Sequence, residues 1–401
     1  MSEWKTITAE EFCDSVRDGT HDTPKQVESG YKLVTAKHIN DGQIDLLDAY
    51  LISEADYLKI NERSKVEQWD VLMSMIGNGL GKSAVVKDRP QYAIKNLALF
   101  KIGDEIKAKW LHYYLSSKAG QGFIYNSLQG SGQPFISLSL LRKFPILVPV
   151  EENTMQDIVV ILSRYDSLIE NYQNQIKLLE EAARRLYKEW FVDLRFPDHE
   201  NTKIVDGIPE GWEKKKISEV GTVVTGKTPL TVKKENYGGN IPFITIPDMH
   251  SGIYPVCSQK LSEIGANSQY KKFIPQDSLM VSCIGTAGLV CISKERCQTN
   301  QQINSIVLTD KNMLYYMFFT LRLLKEHLNN IGSNGATMTN VNKSKFEGIE
   351  VIIPQTYLIC KFYQFAENEF TEIKNLSSQI RILTEARDRL LPKLMSGEIE
   401  V

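Results

Sequence analysis

The residues best equipped for chemistry in this 401-residue chain are polar side chains grouped in short, turn-like stretches. Gly77-Asn78-Gly79-Leu80-Gly81-Lys82-Ser83 comes near to a phosphate-cradling loop. Its first glycine stands one position too close to Gly81, because that motif needs four residues between them. Ala84-Val85-Val86 then continues as a strand where the motif requires a helix, so the stretch reads as a tight hairpin. Other stretches suit base edges, since Asn and Gln pair bidentately with adenine, and Arg and Lys with guanine. Candidates in the first half are Thr20, His21 and Lys25, then Lys37, His38, Asn78, Lys82 and Gln133. In the second half they are Thr225, Lys227, Thr228, Lys233, Lys234 and Thr286, then the run Thr299, Asn300, Gln301 and Gln302. Duty in a turn or a cap is the alternative for each of them.

Other chemistries find no support. The six cysteines, Cys13, Cys257, Cys283, Cys291, Cys297 and Cys360, show neither the close pairing of a zinc site nor a disulfide framework, and the histidines lie away from them. They read as reduced thiols in structural or incidental places. The chain has no Asp/Asn-Pro-Pro-aromatic tetrapeptide of the adenine-methylating kind and no strand-to-helix Gly-x-Gly-x-x-Gly fingerprint. No catalytic residue, metal ligand or bound cofactor is therefore expected.

An internal repeat positions the polar stretches. Thr20-His21-Asp22-Thr23-Pro24 returns as Thr225-Gly226-Lys227-Thr228-Pro229, Asp70 with Leu72 and Met73 as Asp277 with Leu279 and Met280, and Ile76-Gly77 as Ile284-Gly285. Such self-similarity means two copies of one fold. Each copy mixes short strand-like runs (31–36, 71–76, 279–284) with a helical stretch near 110–117 or 312–324, which makes it α+β.

Each copy ends in a long amphipathic stretch. Ile158, Leu162, Tyr165, Ile169, Tyr172, Ile176, Leu179, Ala183, Leu186 and Trp190 form a heptad seam without Pro or Gly. The seam returns 204 positions later in Phe362, Ala366, Glu369, Ile373, Leu376, Ile380, Leu383, Arg387, Leu390 and Leu394. Two such seams in one chain most simply face each other. A helix of this length is a rod of roughly 50 Å, and a linker rich in Pro and Gly recovers that distance only when nearly extended. The expected architecture is two homologous mixed domains, 1–150 and 212–354, joined by antiparallel helices at 151–196 and 355–401 with a linker at 197–211, a pseudo-twofold dumbbell.

The net charge of −2 argues against a simple basic nucleic-acid binder. The balance is uneven, however: residues 212–354 hold 16 basic and 11 acidic residues, while 1–150 hold 18 of each. Lys214, Lys215, Lys216, Lys227, Lys233, Lys234, Lys271 and Lys272 equip the second module to face phosphate, with an ordinary solvated surface as the alternative. Residues 1–12 are acidic without an apolar core, and the apolar run 313–324 is too short to span a bilayer and contains Arg322. Cytoplasm is the expected location.

The run from Ala183 to Pro197, Ala-Arg-Arg-Leu-Tyr-Lys-Glu-Trp-Phe-Val-Asp-Leu-Arg-Phe-Pro, resembles the central conserved region of type I restriction-modification specificity subunits. Ile208-Pro209-Glu210-Gly211-Trp212 resembles the entry to their second target recognition domain, and Leu390-Leu391-Pro392-Lys393-Leu394-Met395-Ser396-Gly397-Glu398-Ile399 their C-terminal end. Ser282-Cys283-Ile284-Gly285-Thr286 and Thr299-Asn300-Gln301-Gln302 are also family-like, and the likeness spans essentially the whole chain. It implies a non-catalytic reader of double-stranded DNA in which each domain reads one half of a bipartite target and the helices set the gap. It also implies docking of two modification subunits, which carry S-adenosylmethionine, and of restriction subunits, which carry ATP and Mg. The docking residues it suggests are Arg184, Tyr187, Trp190, Phe191, Arg195, Phe196, Leu391 and Leu394. A stand-alone DNA binder, or a structural coiled-coil adaptor without sequence preference, is the alternative.

Overall fold

Strands such as Val71–Ser74 and Leu97–Lys101 are apolar at nearly every position, so both of their faces need cover. The computed structural model describes residues 3–40, 42–130, 134–333 and 339–401, and it divides them into two units, residues 1–170 with 381–401, and residues 171–380. In the first unit, alternate residues serve opposite cores. Val71, Met73, Ala98 and Phe100 enter a core built around Trp110, Leu111 and Tyr113, while Leu72, Leu97 and Leu99 turn to a second core with Val34 and Ile94.

The central sheet of this unit runs in the order Ser15–Asp18, Leu97–Lys101, Val71–Ser74, Ser83–Val85, all antiparallel. A three-stranded sheet sets Tyr31–Val34 between antiparallel Leu51–Ile52 and parallel Tyr92–Ile94. Trp4–Thr8 pairs with Pro145–Pro149. The second unit repeats these three sheets, whereas the short pair Ile39–Asn40 with Gln43–Ile44 has no counterpart among its described residues. Its central order is Gly221–Thr225, Ile303–Leu308, Leu279–Ser282, Val290–Ile292. Tyr237–Ile244 again lies between an antiparallel strand, Gln259–Leu261, and a parallel one, Gln298–Thr299, and Glu213–Lys216 pairs with Glu350–Ile353. The repeat read from scattered sequence identities is thus a repeat of topology in all three of these sheets.

The long helices run over Glu152–Tyr187 and Thr356–Met395. In the first unit the start of one helix (Met155, Ile158, Val159, Leu162) shares a core with the end of the other (Leu391, Leu394, Met395). The second unit holds the reverse pair: Ala183 and Tyr187, near the end of the first helix, pack with Leu358, Phe362 and Ala366 at the start of the second. Within each unit the helices are therefore antiparallel, and none of the 20 seam residues is fully exposed.

One local expectation needs correction. The first helix does not continue as α-helix to Trp190; Lys188–Val192 form a π-helical turn, closed by the Asp193 N–H donating to the Lys188 carbonyl at 2.8 Å. The extra residue in that turn rotates the heptad pattern, so that Phe191 becomes the buried residue, edge-on to Phe362 at 5.3 Å and to Tyr316 at 4.8 Å. Trp190 stays half-buried. The linker is folded on itself. Asp206 and Gly207, both at positive φ, turn a small hairpin between Ile204–Val205 and Ile208–Pro209, the Asp-Gly signature of a tight turn. Phe196 is buried against Trp212 at 5.3 Å.

Candidate nucleic-acid interface

In the second unit, three separated stretches of polar candidates meet. The Thr225 hydroxyl donates to Asn304 at 2.6 Å, and the Thr228 hydroxyl to Gln301 at 2.5 Å. The Lys227 N–H bonds the Thr299 carbonyl at 2.9 Å, and the Cys283 N–H bonds the Gln302 carbonyl at 2.8 Å. The loop from Thr225, the turn carrying Thr286, and the run 299–302 are therefore neighbours. Lys227, Lys233, Lys234, Thr286 and Gln301 are exposed on them. Gly226 makes the convergence possible, because a Cβ there would lie 2.1 Å from the Asn300 carbonyl oxygen.

Two members of the run are not surface readers. Thr299 is 1% exposed in the strand Gln298–Thr299, and Asn300 is buried, its amide bonded to the Gln302 main chain at 3.1 Å and side chain at 3.0 Å. These are scaffold and turn duties, which a polar sequence pattern does not distinguish from contact. Gln302 is half-buried and Gln301 carries the exposed amide.

The first unit builds the same place with other chemistry. His21 is held by Asn96 at 2.9 Å and Asp18 at 3.1 Å, and Thr23 accepts from Lys95. Thr20 is half-buried, and Lys25, Lys37 and Lys82 are exposed. The turn Ala36–His38 lies beside Gly77–Gly79, where Asn78 sits; a Cβ on Gly79 would lie 3.5 Å from the Ala36 carbonyl. The glycine-rich stretch joins the antiparallel pair Val71–Ser74 and Ser83–Val85, a hairpin as expected. Gln133 lies outside the described residues.

His38 is corrected from a base reader to a cap. It is 2% exposed, and its Nδ1 accepts the Thr35 N–H at 2.8 Å. Burial lowers its pKa, which favours the neutral ring this bond requires. Asp248 fills the same place in the second unit, accepting the Thr245 N–H at 2.8 Å. The shared Thr-x-x-acceptor pattern is a capping signature.

Several residues expected to dock partners lie inside the chain's own core. Tyr187, Phe191, Phe196, Leu391 and Leu394 are buried, so their side chains support a surface without forming it. Arg184 is exposed and paired with Glu181, and Arg195 is exposed beside Asp193 at 3.6 Å. Trp190, Arg195, Pro197 and His199 line an open cavity of about 410 Å³.

Cys13, Cys283, Cys291 and Cys297 are buried, and burial pushes their thiols up to about 11 for Cys283 and about 12 for the others. They are protonated core residues, poorly suited to nucleophilic work. Among the described residues no group of three His, Cys, Asp or Glu could hold a metal ion, and no helix is long and apolar enough to cross a membrane.

Comparison with known proteins follows the duplication. The family model for the type I restriction modification DNA specificity domain matches twice, at residues 1–181 and 209–378. The chain is 30% identical to the type I restriction enzyme HindI specificity subunit of Haemophilus influenzae, over 87% of this chain and 90% of that one. It is 29% identical to the MjaIX specificity subunit of Methanocaldococcus jannaschii, over 74% and 70% respectively. The crystal structure of a type I restriction-modification S subunit from M. genitalium shares the fold, with a TM-score of 0.58 at 16% identity over 98% of this chain and 96% of that one. With two recognition domains of one topology and two long helices, the chain belongs to the family of type I restriction-modification specificity subunits, the DNA-recognition components of those systems.

Proposed function

We propose that this chain reads a bipartite DNA target, one half with each recognition domain, and that its paired helices set the gap between the halves and dock two modification subunits. One observation carries the reading. The two units repeat the same loops on the same strands but furnish them differently, with His21, Asp22 and Lys25 in one and Gly226, Lys227 and Leu230 in the other. Identical scaffolds with unlike side chains at the same loop are what two unlike half-sequences require, because base edges specify and phosphates only position. The chain itself carries no chemistry in this reading. S-adenosylmethionine belongs to the modification subunits, and ATP and Mg belong to restriction subunits where these join.

The test is a hydroxyl-radical footprint of the chain with its modification subunits, on a duplex carrying the motif found methylated in a host genome. Two protected blocks separated by a sequence-indifferent gap are expected. Exchange of residues 225–236 should change the preferred bases in one block only. A single block, or equal protection of unrelated duplexes, overturns the proposal and favours a structural adaptor.

A further inference from the structure

The loop after Thr225 contains two large apolar residues turned to solvent, Leu230 at 65% and Val232 at 86% exposure. The exposure is built into a braced loop. The Leu230 carbonyl accepts from the Asn236 amide at 2.9 Å and from the Lys233 N–H at 3.2 Å. The Tyr237 hydroxyl bonds the Pro229 carbonyl at 2.8 Å, and Gln269, itself buried on Gln298, bonds the Lys227 carbonyl at 2.7 Å. A loop tied at both ends around its apolar tip holds that tip outward.

Charge decides what the tip faces. Lys227, Lys233 and Lys234 flank it on the same loop, and none of the three is in an ion pair among the described residues. Lys271 and Lys272 follow Gln269, which braces the loop. An apolar wedge ringed by unpaired cations suits a polyanion with an apolar interior, and stacked base pairs between phosphate strands fit that description. The first unit lacks the device. At the repeat spacing of 205, Lys25 stands for Leu230 and Glu28 for Lys233, while Val27, in the place of Val232, is half-buried and bridged to Leu51.

We propose that Leu230 and Val232 form a wedge that enters the duplex at the half-site read by the second unit and unstacks one base step there, with the flanking lysines clamping the phosphates. This rests on the proposed reading of the second unit as a DNA reader. The wedge makes recognition asymmetric: the second half-site is selected partly for a step that opens easily, the first by contact alone.

The test uses the full chain with its modification subunits on its methylation target, with 2-aminopurine placed in turn at positions other than the methylated adenines. Binding should raise fluorescence at one step of the second half-site and at none of the first. Leu230→Ser with Val232→Thr should abolish most of that rise and weaken target binding about tenfold, on the scale of a lost base contact, while the salt slope set by the lysines stays unchanged. Absence of any rise with the unaltered chain overturns the wedge, and that readout does not depend on how the variant folds. So does a variant that binds normally but sheds modification subunits, since the tip would then face protein. Loss of all sequence preference by the unaltered chain would instead defeat the underlying reading, a distinguishable outcome.

Discussion

Asp166 on the first long helix accepts an ion-paired hydrogen bond from Arg387 on the second at 2.7 Å, and the same carboxylate accepts the Tyr113 hydroxyl of the recognition domain at 2.5 Å. Arg387 occupies a seam position, where a polar residue fixes register at some cost in stability. The pair is about one-third exposed, with side-chain exposures of 29% and 33%, so its worth is screened. The second unit pins its domain to its helix in the same manner, with the Tyr315 hydroxyl on Glu367 at 3.1 Å.

Asp166→Ala should therefore destabilise the protein by about 1 kcal/mol, because it removes the shortest partner of the Tyr113 hydroxyl while Arg387 keeps its bonds to Asp388 and the hydroxyl keeps Ser163 at 3.4 Å. A double-mutant cycle with Arg387→Ala in urea unfolding should give a coupling of about 1 kcal/mol. Strict additivity would remove the register role from this pair.

Phe191→Ala should cost about 3–4 kcal/mol and Trp190→Ala distinctly less, because the π turn gives the core position to the phenylalanine. Deleting exposed Glu189 restores α-helical spacing with the phenylalanine at the seam position, and should cost less than Phe191→Ala. Urea melts of the three variants rank them; a larger loss at Trp190 than at Phe191 would return the seam to its uninterrupted form.

His112 is bonded to the Ser83 hydroxyl at 2.9 Å, and burial lowers its pKa to about 4. A histidine depressed below its unfolded value stabilises the fold above about pH 6.5. As pH falls from there toward 4 the unfolded chain takes the proton first, and stability is lost. The loss should be on the order of 1–3 kcal/mol over that window, and His112→Gln should flatten it relative to the unaltered chain in melts at pH 7, 5.5 and 4.5.

Gly226→Ala should disrupt the second site selectively. The added methyl would overlap the Asn300 carbonyl that the loop crosses, so residues 225–236 must lift away. Footprints should lose the second block of protection while keeping the first, with the global melting temperature little changed. Equal loss of both blocks would count against independent half-site reading.

Inserting one heptad at equivalent positions in both long helices should lengthen them by roughly 10 Å, or about three base pairs of DNA. The preferred gap should widen by that amount in methylation-sensitive sequencing of cells carrying the variant. An unchanged gap with intact folding would separate the helices from gap setting.

Much of this protein was legible in its sequence. Helical periodicity marked the two long helices, because a seam that must be buried recurs every three or four residues whatever it packs against. The repeat was legible for a related reason: strand ends and turns need the same few residue types in both copies, as with Asp70 and Asp277 or Gly77 and Gly285. Residue types also marked the neighbourhood of the candidate site. Only the tertiary structure decided which members of it face outward. Thr299, Asn300 and His38 share their chemistry with true surface readers, and what buries them is a parallel strand pairing and a cap, contacts made across long separations in the chain. The π turn was equally hidden, since one inserted residue leaves the apolar content unchanged and alters only the rotation that puts Phe191 inside. Leu230 and Val232 were passed over for the opposite reason: apolar residues are assigned to the core by default, and only a loop braced at both ends by distant side chains keeps them in solvent.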